Sequence, residues 1–115
     1  MSETIFSKII RKEIPADIVF ESDNILAFKD INPQAPIHIL IIPKIEIPRV
    51  SDLDMKEHAN LLIEIFETAN KLAKDFQIAD EGYRLVFNCG SNGGQEVEHL
   101  HLHLLGGRQM TWPPG

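Results

Sequence analysis

Only one cysteine, Cys89, occurs in the 115 residues, so no internal disulfide can form. That usage suits a reducing compartment, and Cys89 is read as a reduced, buried thiol. No apolar run approaches the roughly 20 residues of a membrane span. The longest, Ile37 to Pro43, is strand length and is interrupted by His38. The N-terminal segment lacks a long apolar core before a small-residue cleavage site, so no secretory signal is expected and the cytoplasm is the expected location. Basic residues are few: 11 Lys and Arg stand against 17 Asp and Glu, a net charge of −6. A binder of duplex nucleic acid draws affinity from Lys and Arg contacts to phosphates, so that class is disfavoured. A small anionic ligand is not, because a few local donors can hold one phosphate in an acidic protein. The Gly93-Gly94 turn is too short for a P-loop, and no Gly-Lys-Ser/Thr follows it.

What the chain does have is histidine in an unusual row. His99, His101 and His103 alternate with Leu100 and Leu102, and Leu104-Leu105 follow. Period-two alternation predicts a β-strand from about Val97 to Leu105. Successive side chains on a strand point to opposite faces, so the imidazoles share one face at roughly 7 Å spacing and the leucines pack on the other.

The remaining pattern predicts one domain spanning residues 1–115. With 43% hydrophobic and 24% charged residues the composition is globular, and the length suffices for a core without staples. A short helix is expected over Phe6 to Arg11, ended before Pro15. Two short strands, Ile18 to Glu21 and Ile25 to Lys29, flank a Ser22-Asp23-Asn24 turn. Residues 30–36 form a loop carrying two prolines, and Ile37 to Ile42 reads as a central strand stopped by Pro43. Asp54 to Glu57 fits a capping box with an Asp N-cap. The helix behind it, to about Phe76, repeats apolar residues at Leu61, Leu62, Ile65, Ala69, Leu72, Ala73 and Phe76. Gly82 precedes a strand over Tyr83 to Asn88, and Gly90 to Gly94 is a turn. Short connections favour antiparallel pairing. The expected fold is α+β: about five antiparallel strands, one long helix on one face, and a short N-terminal helix.

Three readings are open for the row. One is a polar stripe on an edge strand, an odd use of three histidines. A second is a zinc site, since His-x-His on a strand serves when another ligand such as His38 or Glu96 closes the tetrahedron. The third is nucleophilic catalysis at phosphorus. A neutral imidazole is a competent nucleophile at pH 7, and neighbours on its face can fix its tautomer, bind phosphate oxygens and assist a leaving group. Backbone N–H groups of the Gly93-Gly94 turn could then face an anion.

The run His99 to Leu105 resembles the signature of the histidine triad (HIT) superfamily. The likeness extends through Thr4-Ile5-Phe6, Lys8-Ile9-Ile10, Ile14-Pro15-Ala16, Phe28-Lys29-Asp30-Ile31, Pro33 to His38, and the tail Gly106-Gly107-Arg108-Gln109-Met110 with Trp112-Pro113-Pro114-Gly115. These segments are similar to the Hint branch, whose members are purine nucleoside phosphoramidases. The resemblance implies that His101 is the nucleophile and that His103 contacts the α-phosphate and helps the leaving group. His99 and His38 would orient the row. Asp30 would accept from the ribose hydroxyls with Ile31 beside it, and Asn88, Gly94, Gln95 and Glu96 would line the phosphate. Phe6, Ile9, Ile14 and Phe28 would wall the purine pocket. It further implies a homodimer in which the tail, with Trp112, reaches the partner's site, and neither metal nor cofactor.

Taken without the resemblance, the four apolar residues fit an ordinary core equally well. Asp30 fits a turn, and His38 fits a core histidine with its bonds satisfied. Where some Hint proteins carry a serine near the leaving amine, this chain has Glu96, which would repel an acidic leaving group if charged and donate a proton if its pKa were raised. Two other functions stay open at this stage: dinucleoside polyphosphate hydrolysis, and a nucleotide-binding adaptor whose catalysis is residual.

Overall fold

The computed structural model describes residues 3–115. Helix α1 (Ile5–Ile10) is followed by strands β1 (Ile18–Glu21), β2 (Ile25–Lys29) and β3 (Ile37–Pro43), a 3-10 turn (Val50–Asp52), helix α2 (Ala59–Asp75), and strands β4 (Tyr83–Phe87) and β5 (Leu102–Gly106). The strands form one antiparallel sheet in the order β1-β2-β3-β5-β4, so β3 is central as its apolar run suggested. No helix among the described residues is long and apolar enough to cross a membrane.

Both faces of the sheet are covered, and alternation along β3 divides the core in two. Ile39 and Ile41 join Ile25, Ala27, Leu102 and Leu104 under Ile65, Ala69, Leu72 and Ala73 of α2. Leu40 and Ile42 point the other way, joining Leu26 and Phe28 beneath Phe6 and Ile9 of α1. A strand buried on both faces reads as a continuous hydrophobic run, which is why Ile37 to Pro43 is nearly uninterrupted. His38 is the one polar residue in that run, and it falls on the α1 side.

The helix termini are set locally. Thr4 caps α1: its Oγ1 accepts from the Ser7 N–H at 3.1 Å while Ser7 Oγ accepts from the Thr4 N–H at 3.3 Å. Helix α2 begins later than the capping-box pattern suggested. Asp54 does accept from the N–H groups of Lys56 and Glu57, at 2.8 and 3.0 Å, but these bonds cap a turn over residues 55–58, and regular helix starts at Ala59. Past its end, Gln77 takes a left-handed φ of 61° and turns the chain away.

The histidine strand is shorter than its alternation implies, since only His103 of the three lies on β5. The β3–β5 ladder pairs Ile41 with Leu102. Continued by two residues it would set Leu100 against Pro43, which has no N–H to give. The Leu100 N–H instead donates to the Ile47 carbonyl at 2.6 Å. The alternation survives this departure: Leu100, Leu102 and Leu104 all enter the core under α2.

Candidate active site

On the α1 side of the sheet a cavity of about 700 Å³ is lined by two kinds of side chain. Phe6, Ile9, Ile14 and Phe28 supply apolar wall, while Asp30, His38, Asn88, Glu96, His101 and His103 supply polar groups. Phe6 meets Phe28 edge-on at 5.5 Å between centroids and His101 edge-on at 5.0 Å, so the short helix bridges the two parts. The rings of His101 and His103 are 5.0 Å apart, closer than an ideal strand spacing because they lean together. His99 lies under Phe6, with ring centroids 6.1 Å apart, but is 1% exposed and does not reach the cavity.

Backbone groups assign the protons on these rings. A carbonyl only accepts, so the 2.6 Å contact between His101 Nδ1 and the His99 carbonyl means that Nδ1 carries the hydrogen and donates it. In the neutral ring the lone pair is then on Nε2. The same logic gives His99 an Nε2–H, donated to the Pro43 carbonyl at 2.8 Å. An amide N–H only donates, so the Gln34 N–H at 3.0 Å makes His38 Nδ1 the acceptor and leaves the proton on His38 Nε2. That proton faces His103 Nδ1 at 2.9 Å, with Asp30 Oδ2 farther off at 3.5 Å. His103 therefore carries its remaining hydrogen on Nε2. Toward the cavity the row thus offers one bare nitrogen, His101 Nε2, next to one ring with an available donor, His103 Nε2–H.

Burial keeps these rings uncharged. Desolvation pushes His38, His99 and His101 below the ordinary imidazole value, only partly opposed by Asp30 at His38, by the Pro43 carbonyl at His99 and by the His99 carbonyl at His101. His103 is lowered to about 4, by desolvation first and then by the neighbouring rings of His101 and His38. At neutral pH the site therefore holds a ring with a bare Nε2 beside a ring with an Nε2–H, both uncharged.

Asp30, His38 and His103 bring one donor atom each within 4.8 Å of one another, the spacing of a metal site. The hydrogen bonds oppose that use. A metal on His38 Nε2 would displace its proton while Nδ1 already accepts from Gln34, which would leave an imidazolate. The donor set fits a proton relay better than a cation.

Several expected residues take other places. Gln95 does not line the cavity; its Oε1 accepts from the Gly90 N–H at 2.9 Å and its Nε2 donates to the Pro48 and Val97 carbonyls at 2.8 and 2.9 Å, bracing the turn from behind. Gly94 does line it, but its N–H is engaged by the Ser91 carbonyl at 3.1 Å and is not presented to an anion. Asn88 lines the cavity and holds this turn, donating from Nδ2 to the Gly93 carbonyl at 2.7 Å. A Cβ on Gly93 would sit 2.4 Å from the Cys89 carbonyl oxygen, so the turn closes tightly only with glycine there. Ile31 lines the rim at 94% exposure. Trp112, 83% exposed, is not part of the cavity within one chain. Cys89 is exposed, not buried, because the turn lifts it to the surface; its Sγ lies 3.7 Å from Ser51 Oγ. Hydrogen bonding from Ser51 holds that thiol below its ordinary pKa.

The sequence reading missed Gln34, whose backbone N–H fixes the tautomer of His38. A main-chain donor has no residue-type signal; the only hint was its place four residues before His38 in a proline-punctuated loop.

The chain is similar to known proteins over nearly its whole length. A family model described as HIT domain matches residues 11–110. The chain is 56% identical over 108 residues to the purine nucleoside phosphoramidase of Escherichia coli, covering 94% of this chain and 90% of that one. The crystal structure of a HIT family hydrolase from Legionella pneumophila superposes with a TM-score of 0.96 at 57% identity, covering 98% of this chain and all of that one. A HIT family hydrolase from Clostridium thermocellum gives 0.92 at 49% identity, with 96% of each chain covered.

Proposed function

Because the chain belongs to the HIT family, we propose that it is a hydrolase cleaving the P–N bond of purine nucleoside 5′-phosphoramidates such as AMP–amine conjugates. The observation that carries this reading is the 2.6 Å bond from His101 Nδ1–H to the His99 carbonyl, which leaves Nε2 bare beside His103. His101 Nε2 attacks the α-phosphorus, the P–N bond breaks, and the departing amine takes up a proton from water. A nucleotidyl-histidine remains. The His103 Nε2–H, without giving up its proton, hydrogen-bonds to a phosphate oxygen as charge builds there and to the leaving nitrogen. Water then attacks the same phosphorus, His101 leaves, and a nucleoside monophosphate is released.

The other groups follow from position. The apolar wall of Phe6, Ile9, Ile14 and Phe28 suits a purine ring, with Ile31 at the rim. Asp30 has an oxygen to accept from ribose hydroxyls, its Oδ1 being held by the Asn32 N–H at 2.8 Å. Asn88, Gly94 and Glu96 flank the phosphate, while Gln95 supports their turn. His38 and His99 orient the two reacting rings. The protein works in the cytoplasm as a homodimer, each tail placing Trp112 near the partner's site, with no metal, cofactor, nucleic acid or membrane taking part.

The test is His101→Asn, whose amide can still donate to the His99 carbonyl. Cleavage of a fluorogenic AMP–amine conjugate should fall by at least about a thousandfold while AMP binding persists. Activity retained in the folded variant would refute covalent catalysis by His101.

A further inference from the structure

Arg108, two residues beyond the end of β5, reaches back to the loop that carries the relay's first donor. Its Nε–H donates to the Gln34 carbonyl at 3.1 Å, and its Nη1 donates to the Gln109 carbonyl at 3.1 Å. Gln34 is the residue whose N–H ends on His38 Nδ1. The two peptide units on either side of the Gln34 Cα are thus held at once, one by the tail and one by the relay.

The chain is shaped for this crossing. Gly106 pairs with Ile37 at the end of the ladder. Gly107 follows with φ +90°, and a Cβ there would lie 3.0 Å from Pro36 Cβ. A left-handed residue without a side chain lets the tail pass directly over the loop and brings Arg108 beside Gln34. The other side-chain bonds of the loop stay within it: the Asn32 N–H to Asp30 Oδ1 at 2.8 Å, and Gln34 Nε2 to the Asn32 carbonyl at 3.0 Å. They shape the loop but do not orient Gln34 against the sheet.

We propose that Arg108 is a positioning residue for the histidine relay: by holding the Gln34 carbonyl it keeps the Gln34 N–H on His38 Nδ1 and so selects the tautomers of His38 and His103. Without it the loop loosens, His38 samples both tautomers, and His103 presents its Nε2–H for only part of the time. Bond making by His101 is not touched directly, and neither is the purine wall. The deficit therefore falls on kcat more than on KM.

The kinetic consequence rests on the phosphoramidase reading; the tautomer consequence does not, and the experiment separates them. Imidazole nitrogen-15 spectra of the free full-length protein report which ring nitrogen of each histidine carries its proton. Arg108 is exposed, so its replacement leaves the core intact. In Arg108→Ala the His38 and His103 resonances should move from fixed to averaged tautomer positions, and kcat should drop roughly tenfold with KM within about twofold, less than the hundredfold or more of removing an acid–base group itself. Arg108→Lys, which keeps one donor, should recover part of both signals. Arg84→Ala, which frees the distal tail by removing the 2.8 Å bond to the Thr111 carbonyl, should leave the spectra unchanged. Averaged spectra with no phosphoramidase turnover in any form would keep the clamp and remove the substrate assignment. Unchanged His38 and His103 resonances in Arg108→Ala, or an equal change in Arg84→Ala, would overturn the clamp.

Discussion

His38 Nε2 and His103 Nδ1 lie 2.9 Å apart, joined by one proton that neither ring can give up without changing the other's tautomer. The pair is stable only while both rings are neutral, because a second proton would set N–H against N–H.

That coupling predicts a pH dependence of stability. His103 has a folded value of about 4, below the ordinary 6.5, and His38, His99 and His101 are depressed in the same direction. Between those two values the unfolded chain binds protons that the native site refuses. Stability is therefore full above about 6.5 and falls as pH drops toward 4. His103 alone contributes on the order of 2 kcal/mol to that fall, after allowance for its partial contact with water. Thermal unfolding at stepped pH should show the slope, and His103→Asn should reduce it. An equal slope in the variant would assign the effect to the other three histidines or to carboxylates.

Metal independence follows from the proton assignments. Exhaustive chelation should leave activity and melting temperature unchanged, since His38 has no free lone pair for a cation. A stoichiometric metal by elemental analysis, with activity lost on its removal, would reverse the assignment of His38.

Glu96 should set the preference among leaving groups. Among the described residues it has no ion-pair partner, whereas Glu98, two residues on, is held by Arg49 at 2.9 Å. Glu96 lines the cavity, where a negative charge would repel an acidic amine at short range. Glu96→Gln should raise kcat/KM for conjugates of acidic amines by about fivefold relative to basic ones, as expected for one partly solvated charge pair. Glu98→Gln is the control. A constant ratio of the two substrate classes in Glu96→Gln would exclude this role.

The tail should act across a subunit boundary. Trp112 is 83% exposed in one chain, and Ile63 and Phe66 of α2 are exposed as well. β4 is an unpaired sheet edge. Light scattering should give the mass of a dimer. Deleting Met110 to Gly115 should keep the fold and alter selectivity among amines more than the rate of attack. A monomeric intact protein, or a truncation with unchanged selectivity, would remove the tail from the site.

Side-chain pattern carried much of this structure. The alternation of His99 to Leu104 placed the leucines and the histidines on opposite sides, and the period of Ile65 to Ala73 placed α2. What the pattern could not carry was decided by backbone groups. The ladder stops short of His101 because Pro43 lacks an N–H. Helix α2 starts at Ala59 because a capped turn precedes it. Gln95 faces away from the cavity because three main-chain partners claim its amide. The residues of the cavity were legible as types, but the proton positions on their rings depend on the Gln34 amide and on the carbonyls of His99 and Pro43, which have no letter in the sequence.

The alternation of β3 also has a consequence for how the protein can change. Ile39 and Ile41 face the larger core under α2, whereas His38 and Leu40 face the cavity. Truncating Ile41 to alanine should cost roughly 2–5 kcal/mol, a large share of a small domain's stability. Substitutions in the apolar wall at Ile14 or Ile31 meet water on one side and should cost far less. The sheet thus works as a partition between a face that must be kept and a face whose cavity margin can be recut, so that substrate range can drift by single substitutions while the fold stays above its threshold.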